Sequence, residues 1–314
     1  MKKMTRNTFL MMATLTFIVS CTQAPQSLKI ASNTWIGYEP IYAAKELTLT
    51  DVPLELHRKA NATDVMDMFE KKQVDAACLT LDEAILLIEK GVPTYFAAIL
   101  DISNGADQLV VQPNIKMLSD LKGKKIAVET TAVGMLLLHG VLAKAQLLST
   151  DISIVTSTVD QHYGLMKNNE VSAAITFPPF SDRLKSLDAT TLYDSSQMKK
   201  APIIDVLVVS EDAYKNKKPQ LKKLLKAIYL ATDLLESKDE KIVEFIGKNL
   251  MLEQSSWSTM TDGVDLTNEQ LNNTYIHRYK LEATMRILDD VMLSNNMIKN
   301  SIKDKITSDM FLRL

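Results

Sequence analysis

The sequence predicts an α/β protein of two lobes, each with a mostly parallel sheet covered by helices. Short β-like runs alternate with longer helical runs from Leu28 onward, a pattern typical of strands joined by crossover helices. The same alternation restarts at Lys125. About 290 of the residues follow an N-terminal apolar segment, and a chain of that length usually exceeds one hydrophobic core. We therefore expect two lobes.

The first lobe is predicted from strand-like runs separated by helical ones. The strand-like runs are short and apolar, at residues 28–32, 53–58, 75–79 and 94–100. The helical runs between them are residues 41–47, 62–71 and 81–90. This order predicts parallel strands with a helix after each one.

The second lobe repeats this order, and the last third of the chain is nearly all helical. Its predicted strands are residues 125–129, 152–156 and 172–176, and its helices are 132–147 and 161–167. In the last third, one apolar stripe has helical spacing: Leu221, Leu224, Leu225, Ile228 and Leu235. This stripe predicts a helix that packs against the core.

A short internal repeat suggests where a ligand could lie. Residues 74–79 (VDAACL) match residues 171–176 (VSAAIT). Two strands of the same build would place the residues that follow them, Thr80 and Phe177, on facing edges of the two lobes. Ligands of open parallel sheets bind outside the carboxyl ends of the strands. Coincidence is the alternative, because the match covers only six residues.

The N-terminus indicates export. Lys2 and Lys3 precede a 12-residue apolar run, residues 9–20, which is shorter than the roughly 20 residues that a spanning helix needs. Residues 18–21 (IVSC) resemble a bacterial lipobox, in which cleavage precedes a cysteine that carries lipid. We expect a lipoprotein signal peptide at residues 1–20, lipidation of Cys21 and a polar tether at residues 21–27. The alternative is an ordinary signal peptide with a nearby cysteine.

Charge and cysteine content narrow the class of partner. Removal of residues 1–20 takes away three basic and no acidic residues, which changes the net charge from −2 to −5. A mildly acidic chain argues against nucleic acid as a partner and against a basic membrane-binding face. After Cys21 the only cysteine is Cys78, within an apolar run. No intramolecular disulfide is expected, and Cys78 is expected in the core.

Motifs for catalysis are absent from the sequence. It contains no phosphate-binding GxxxxGK[ST] loop, no HExxH pair and no GxSxG elbow. The four histidines, His57, His139, His162 and His277, lack the spacing of metal ligands. We therefore expect no catalytic residues, no metal and no cofactor.

Four motifs resemble a known family. They are residues 35–45 (WIGYEPIYAAK), 101–107 (DISNGAD), 118–128 (LSDLKGKKIAV) and 203–209 (IIDVLVV). In this order they are similar to substrate-binding proteins of ABC importers, the group that binds nitrate, sulfonates, taurine and thiamine precursors. The resemblance implies the two-lobed type II periplasmic-binding-protein fold, with two crossing segments near residues 107–112 and 203–209. Lobe one would be residues 28–107 plus 205–314, and lobe two residues 108–204.

The resemblance also implies which residues line the cleft between the lobes. Trp35 and Tyr38 would form a wall on lobe one, although Trp35 could instead cap the core beneath its loop. Asp82 matches a position that faces the cleft, but residues 80–83 (TLDE) also fit a capping box at a helix start. Phe177 would provide an aromatic surface from lobe two. Asp205 would enter from the second crossing.

Further candidates lie beside the first crossing and at a helix start. Ser103, Asn104 and Asp107 flank Gly105, which permits a backbone turn; for Asp107, a hinge hydrogen bond and ligand contact are both open. Thr130 and Thr131 precede the apolar helix of lobe two. Free N–H groups there would suit an anion, but simple N-capping needs no ligand.

The expected function is binding without chemistry. The resemblance implies a monomeric receptor, on the periplasmic or cell-surface side of a bacterial membrane, that delivers a small nitrogen- or sulfur-containing solute to an ABC permease with its ATPase subunits. The alternatives are a ligand-sensing receptor for a signalling partner and an enzyme like those of pyrimidine or menaquinone pathways on the same fold.

The predicted charge of the cleft bears on the solute. Five acids fall in or beside the motifs, and no arginine does: Glu39, Asp82, Asp107, Glu129 and Asp205. Desolvating an anion among carboxylates is costly. We therefore expect a solute with a positive or hydrogen-bond-donating nitrogen rather than nitrate or a plain alkanesulfonate.

Overall fold

The computed structural model describes residues 27–129, 132–277 and 280–312. The predicted signal peptide, the lipidation site Cys21 and the predicted tether up to residue 26 lie outside the described residues. Thr130 and Thr131 also lie outside them. Within the described ranges, no helix is long and apolar enough to cross a membrane.

The described chain alternates strands and helices through most of its length. The strands are β1 Leu28–Ser32, β2 Leu54–Arg58, β3 Ala76–Thr80, β4 Tyr95–Ser103, β5 Gln108–Val111, β6 Lys125–Val128, β7 Ser153–Thr156, β8 Ala173–Thr176, β9 Thr190–Asp194, β10 Ile203–Val209 and β11 Val264–Leu266. The helices are α1 Glu39–Glu46, α2 Ala62–Glu70, α3 Leu81–Glu89, α4 Ala132–Ala145, α5 His162–Lys167, α6 Phe180–Lys185, α7 Glu211–Asn216, α8 Lys218–Glu236, α9 Glu240–Asn249, α10 Glu269–His277 and α11 Lys280–Ser294.

The strands form two sheets. The six-stranded sheet has the order β11-β4-β10-β3-β1-β2, and the five-stranded sheet has the order β7-β6-β8-β5-β9. Four strands of each sheet run in one direction, and the others, β10 and β11 in the first and β5 in the second, run against them. We call the six-stranded sheet with its helices lobe one, and the five-stranded sheet with its helices lobe two.

The chain passes between the sheets twice, and each passage is followed by an antiparallel strand. The first crossing is residues 104–107, between β4 and β5, and the second is residues 195–202, between β9 and β10. Both crossings precede the positions expected from the resemblance, because residues 108–111 and 203–209 already pair within sheets. The lobe limits at residues 107 and 204 remain predictions.

The apolar elements of lobe one are buried in its core. All seven residues of β10 are buried at the centre of lobe one. The predicted apolar stripe of the last third lies on α8, and all five of its residues are buried.

Cys78 is 1% exposed in β3, as predicted, and burial raises the pKa of its thiol well above the ordinary value. An apolar cluster continues from α3 of lobe one to α4 of lobe two. The packing of α3 against α4 therefore joins the two lobes.

Candidate functional site

A small cavity lies between the lobes at the carboxyl ends of parallel strands. Its lining includes Asn33 after β1, Thr80 at the end of β3, Glu129 after β6 and Phe177 after β8. This is the place where open α/β sheets bind ligands, and the two residues that the internal repeat singles out, Thr80 and Phe177, both line the cavity. The volume of about 30 Å³ accommodates about two water molecules. A larger solute therefore requires the lobes to move apart.

Trp35 contributes both to the wall of the cavity and to the packing of lobe one. It lines the cavity and its side chain is 4% exposed. Its ring meets Phe177 of lobe two edge-to-face, with 5.5 Å between the ring centroids. Its Nε1–H donates a hydrogen bond to Asp101 Oδ2 at 3.0 Å. The two roles that the sequence left open are thus combined in one side chain.

Gly37 allows this arrangement. A Cβ atom at this position would lie 1.7 Å from Asp101 Oδ2 and 2.7 Å from Trp35 Nε1. Both distances are far below van der Waals contact, so any side chain at residue 37 would displace the Trp35–Asp101 hydrogen bond. The glycine of the WIGY motif is therefore required by a buried carboxyl group that sequence reasoning did not include in the site.

Two buried carboxyl groups lie together at the cavity, Asp205 in its lining and Asp101 beside it on the neighbouring strand. Asp101 and Asp205 are partners in the register of β4 and β10, and the hydroxyl of Tyr38 donates to Asp205. Burial raises the pKa of Asp101 to about 7. Burial and the charge of Asp101 raise the pKa of Asp205 well above its ordinary value. Two such groups cannot both ionise easily, because burial and their mutual repulsion disfavour the charged forms.

Three further carboxyl groups line the cavity. Their pKa values are raised, in each case chiefly because of burial. The pKa of Glu83 is raised to about 8, that of Asp107 to about 7 and that of Glu129 to about 7. No lysine or arginine is among the described residues that line the cavity. The cavity is therefore acidic, and part of its charge is suppressed while it is closed.

One acid from the sequence prediction is neutralised elsewhere. Glu39 does not line the cavity; its Oε1 accepts from Arg58 Nη1 at 2.6 Å and its Oε2 from Asn249 Nδ2 at 2.5 Å. Arg58 also stacks over the ring of Tyr42, 3.9 Å from the ring centroid. This group holds α1 against β2 and α9, and the positive charge of Arg58 is paired there.

The crossings are tied together by two serines. Ser103 Oγ and Ser195 Oγ lie 2.8 Å apart, and Ser195 Oγ accepts from the backbone N–H of Gly105 at 2.7 Å. Ser103 Oγ also accepts from the N–H of Asp107 at 3.1 Å. Gly105 has a φ of 124°, which an L side chain rarely adopts. These bonds join the first crossing to the second, where a hinge would lie.

Of the eight predicted ligand-binding residues that the structure describes, five line the cavity and three do not. Those that line the cavity are Trp35, Tyr38, Asp107, Phe177 and Asp205. Ser103 is the last residue of β4, just before the first crossing, and Asn104 is exposed, where its Nδ2 donates to Asp265 Oδ2 at 3.1 Å. Asp82 is buried in the first turn of α3, outside the lining, and burial raises its pKa to about 6. Thr130 and Thr131 are not among the described residues.

Glu83 lines the cavity in place of its neighbour Asp82. Its Oε2 accepts from the backbone N–H of Thr80 at 3.0 Å, which is one half of the predicted capping box. Its Oε1 has no hydrogen-bond partner in the described structure, and neither has the hydroxyl of Thr80. Glu83 thus caps α3 with one oxygen and leaves the other without a partner. The sequence signal for this role was the TLDE motif, which indicated only a cap.

The arrangement suits the binding of a small solute. Among the described residues there is no group of three or more histidine, cysteine or acidic side chains that could hold a metal ion. The thiol of Cys78 is buried with a raised pKa, so it is a poor nucleophile. Aromatic rings and carboxyl groups around a closable space can surround a small solute.

Comparison with protein families identifies the chain. Residues 22–246 match the model of the NMT1-like family. The chain belongs to the NMT1-like family. A curated relative from Brachyspira hyodysenteriae, named as an ABC transporter periplasmic binding protein, is 26% identical over 189 residues, which are 60% of this chain and 53% of the relative. This NMT1-like chain therefore spans about half the length of that relative in the match.

Solved structures show the fold. The alkanesulfonate-binding protein SsuA from Xanthomonas axonopodis pv. citri, bound to MOPS, superposes with a TM-score of 0.78 over 92% of this chain and 99% of its own, at 14% identity. The desulfurization enzyme DszB has a TM-score of 0.63 over 88% of this chain and 95% of its own, at 15% identity. The predicted type II periplasmic-binding-protein fold is thus confirmed. At these identities the likeness shows the fold alone.

Proposed function

We propose that this protein is an extracytoplasmic receptor that captures a small solute between its lobes and delivers it to an ABC permease. The family and the fold support a binding protein of this kind. The observation that most strongly supports the solute class is the acidic, aromatic lining of the cavity. The receptor binds its solute and does not transform it.

The lining favours a solute with a nitrogen that is positively charged or donates hydrogen bonds. The acidic side chains are Glu83, Asp107, Glu129 and Asp205, and the aromatic ones are Trp35, Tyr38 and Phe177. A cation or an N–H donor would pair with the carboxyl groups, and its apolar part would stack on the rings. An oxyanion would be desolvated beside carboxylates, which is unfavourable. We therefore rank an amine, a zwitterion or an aminopyrimidine above nitrate or a plain alkanesulfonate.

Binding would involve a hinge motion at the crossings. In the closed arrangement Trp35 of lobe one touches Phe177 of lobe two, and the space between them is too small for such a solute. Opening would separate these rings while the serine bonds between the crossings persist, and closure would bury the solute. The permease would then distinguish the closed receptor from the open one.

A thermal-shift screen tests the proposed solute class. The delipidated protein is heated with nitrate, an alkanesulfonate, taurine and an aminopyrimidine, each at the same concentrations. A ligand at 100 times its dissociation constant adds about 2.7 kcal/mol to the folded state, so a true solute gives a clear rise in melting temperature. We expect a rise with taurine and with the aminopyrimidine, whose nitrogen atoms donate hydrogen bonds. A rise with nitrate or the alkanesulfonate alone would contradict the proposed class.

The lipid anchor gives a separate prediction. We expect Cys21→Ser to leave an uncut precursor without lipid, because only the thiol of Cys21 can take the modification. Mass spectrometry of the membrane fraction measures both features. Cys78→Ala, which changes the other cysteine, is the matched control and should retain lipid and cleavage. A wild-type chain that carries no lipid on Cys21 would refute the anchor.

A further inference from the structure

Glu129 reaches across the cleft to a helix start on the other lobe. It follows β6 of lobe two and is 7% exposed, and α2 of lobe one begins at Ala62. The hydroxyl of Thr63 donates to Glu129 Oε1 at 3.4 Å. A carboxylate of one lobe thus lies at the N-terminus of a helix of the other.

The backbone N–H groups at the start of α2 are available as hydrogen-bond donors. The first N–H groups of a helix have no acceptor within it. Asn61 caps α2, and its side-chain oxygen accepts from the N–H of Asp64 at 2.9 Å. Burial raises the pKa of Glu129 to about 7, and the backbone N–H groups of Thr63 and Ala62 oppose this rise. The N-terminus of α2 therefore already holds a carboxylate that the protein itself supplies.

A second observation shows that the same space is prepared for a ligand. The hydroxyl of Thr80 lines the cavity together with Ala62 and Glu129, its residue is 7% exposed, and it has no hydrogen-bond partner in the described structure. Glu83 Oε1, in a residue that is 2% exposed, is also without a partner there. Buried polar groups are normally paired, so these two are expected to meet a ligand group.

We propose that Glu129 determines the specificity of the cleft by excluding oxyanions. Its carboxylate occupies the start of α2, where the oxygens of a sulfonate or a carboxylate would otherwise accept hydrogen bonds. With that place filled, the lining polar groups without a hydrogen-bond partner in the described structure are Glu83 Oε1 and the hydroxyl of Thr80, which suit an N–H donor. This inference rests on the proposed function and assigns the choice of solute class to one residue.

The test measures whether replacing Glu129 reverses the ligand charge that the protein prefers. Wild-type protein, Glu129→Ala and Glu129→Gln are titrated by calorimetry at pH 8.5 with benzenesulfonate and with benzylamine, two aromatic probes of opposite charge. We expect Glu129→Ala to bind benzenesulfonate at least tenfold more tightly than the wild type and benzylamine at least tenfold more weakly. Glu129→Gln keeps the size of the side chain, so it should weaken benzylamine binding but gain less sulfonate affinity.

A second substitution tests whether the gained benzenesulfonate affinity arises at the start of α2. Thr63→Val, added to Glu129→Ala, should remove several-fold of the new benzenesulfonate affinity, because it removes the hydroxyl at the start of α2. Glu170→Ala is the control: Glu170 is an exposed glutamate of lobe two whose Oε1 accepts from Asn168 Nδ2 at 3.1 Å. It should leave both affinities unchanged.

The outcomes separate this inference from the proposed function. A folded Glu129→Ala that binds benzenesulfonate no more tightly than the wild type overturns the role of Glu129, even if the wild type binds amines. A gain of benzenesulfonate affinity in Glu129→Ala supports that role even if no amine binds the wild type, in which case only the proposed solute class fails. If the alanine variant does not fold, Glu129→Gln decides: unchanged benzylamine affinity overturns the inference.

Discussion

Replacing Trp35 with alanine is expected to lower the free energy of unfolding by about 3–5 kcal/mol and to abolish solute binding. The side chain is 4% exposed, so its removal leaves a large space at the edge of the lobe-one core. It also removes the contact with Phe177 and the N–H that Asp101 accepts at 3.0 Å. Denaturation with urea measures the stability, and calorimetry with benzylamine measures the binding.

Two controls separate packing from recognition. Trp35→Phe keeps an aromatic ring against Phe177 but removes the N–H donor, so we expect a smaller loss of stability than for alanine. Trp257→Phe changes the other tryptophan, which lies beside α9 of lobe one, with its Nε1–H donating to Leu252 O at 3.2 Å, and does not line the cavity. It should not change the affinity. If Trp35→Ala retained the wild-type affinity, the wall of the site would be misplaced.

The buried acids predict that stability falls as the pH rises. A carboxyl group whose pKa is raised in the folded state holds its proton more tightly there than in the unfolded chain. Its contribution to stability is complete below its ordinary pKa and is lost as the pH rises through the raised value. For Asp107, whose pKa rises from 3.8 to about 7, the whole contribution is about 4 kcal/mol.

The measurement compares the free energy of unfolding at pH 6.5 and pH 8.5. The pKa of His162 is lowered by burial to about 4, so its contribution is lost only as the pH falls below 6.5, outside this window. With raised values between about 7 and about 8 for Asp101, Asp107, Glu129 and Glu83, we expect a total loss of roughly 4 kcal/mol on going to pH 8.5.

One substitution assigns part of this loss to a single group. Glu83→Gln should reduce the loss by about 2 kcal/mol, because the pKa of Glu83 is raised furthest among these four, to about 8. Its amide oxygen can still accept from the N–H of Thr80. Glu253→Gln, at an exposed glutamate, should leave the loss unchanged. A free energy of unfolding that is equal at the two pH values, or higher at pH 8.5, would contradict the buried acidic cluster.

The sequence predicted the parts of the site that follow strand ends. The internal repeat predicted Thr80 and Phe177 on facing edges, and both line the cavity, because ligand sites of open sheets lie outside the carboxyl ends of the strands. The aromatic residues of the WIGY motif, Trp35 and Tyr38, were predicted from the family resemblance, and both line the cavity. Such positions are indicated by local sequence patterns, so a single sequence is enough to predict them.

Other positions depended on contacts between distant residues, which no local pattern contains. The side chain of Asn104 turns outward to Asp265, 161 residues away. Asp82 and Glu83 are neighbours on one helix, where each residue is rotated by about 100° from the one before. The resemblance pointed to Asp82 as the residue that faces the cleft, whereas the structure turns Glu83 toward the cavity. The contact of Glu129 with α2 required the relative position of the two lobes.

The most direct test of the central claim compares two ligands of similar size and opposite charge. The delipidated wild-type protein is titrated by calorimetry at pH 8 with benzylamine and, separately, with benzenesulfonate. If the cleft selects nitrogen-bearing solutes through its carboxyl groups, benzylamine will bind saturably and at least tenfold more tightly than benzenesulfonate. Saturable binding of benzenesulfonate without binding of benzylamine would contradict the account.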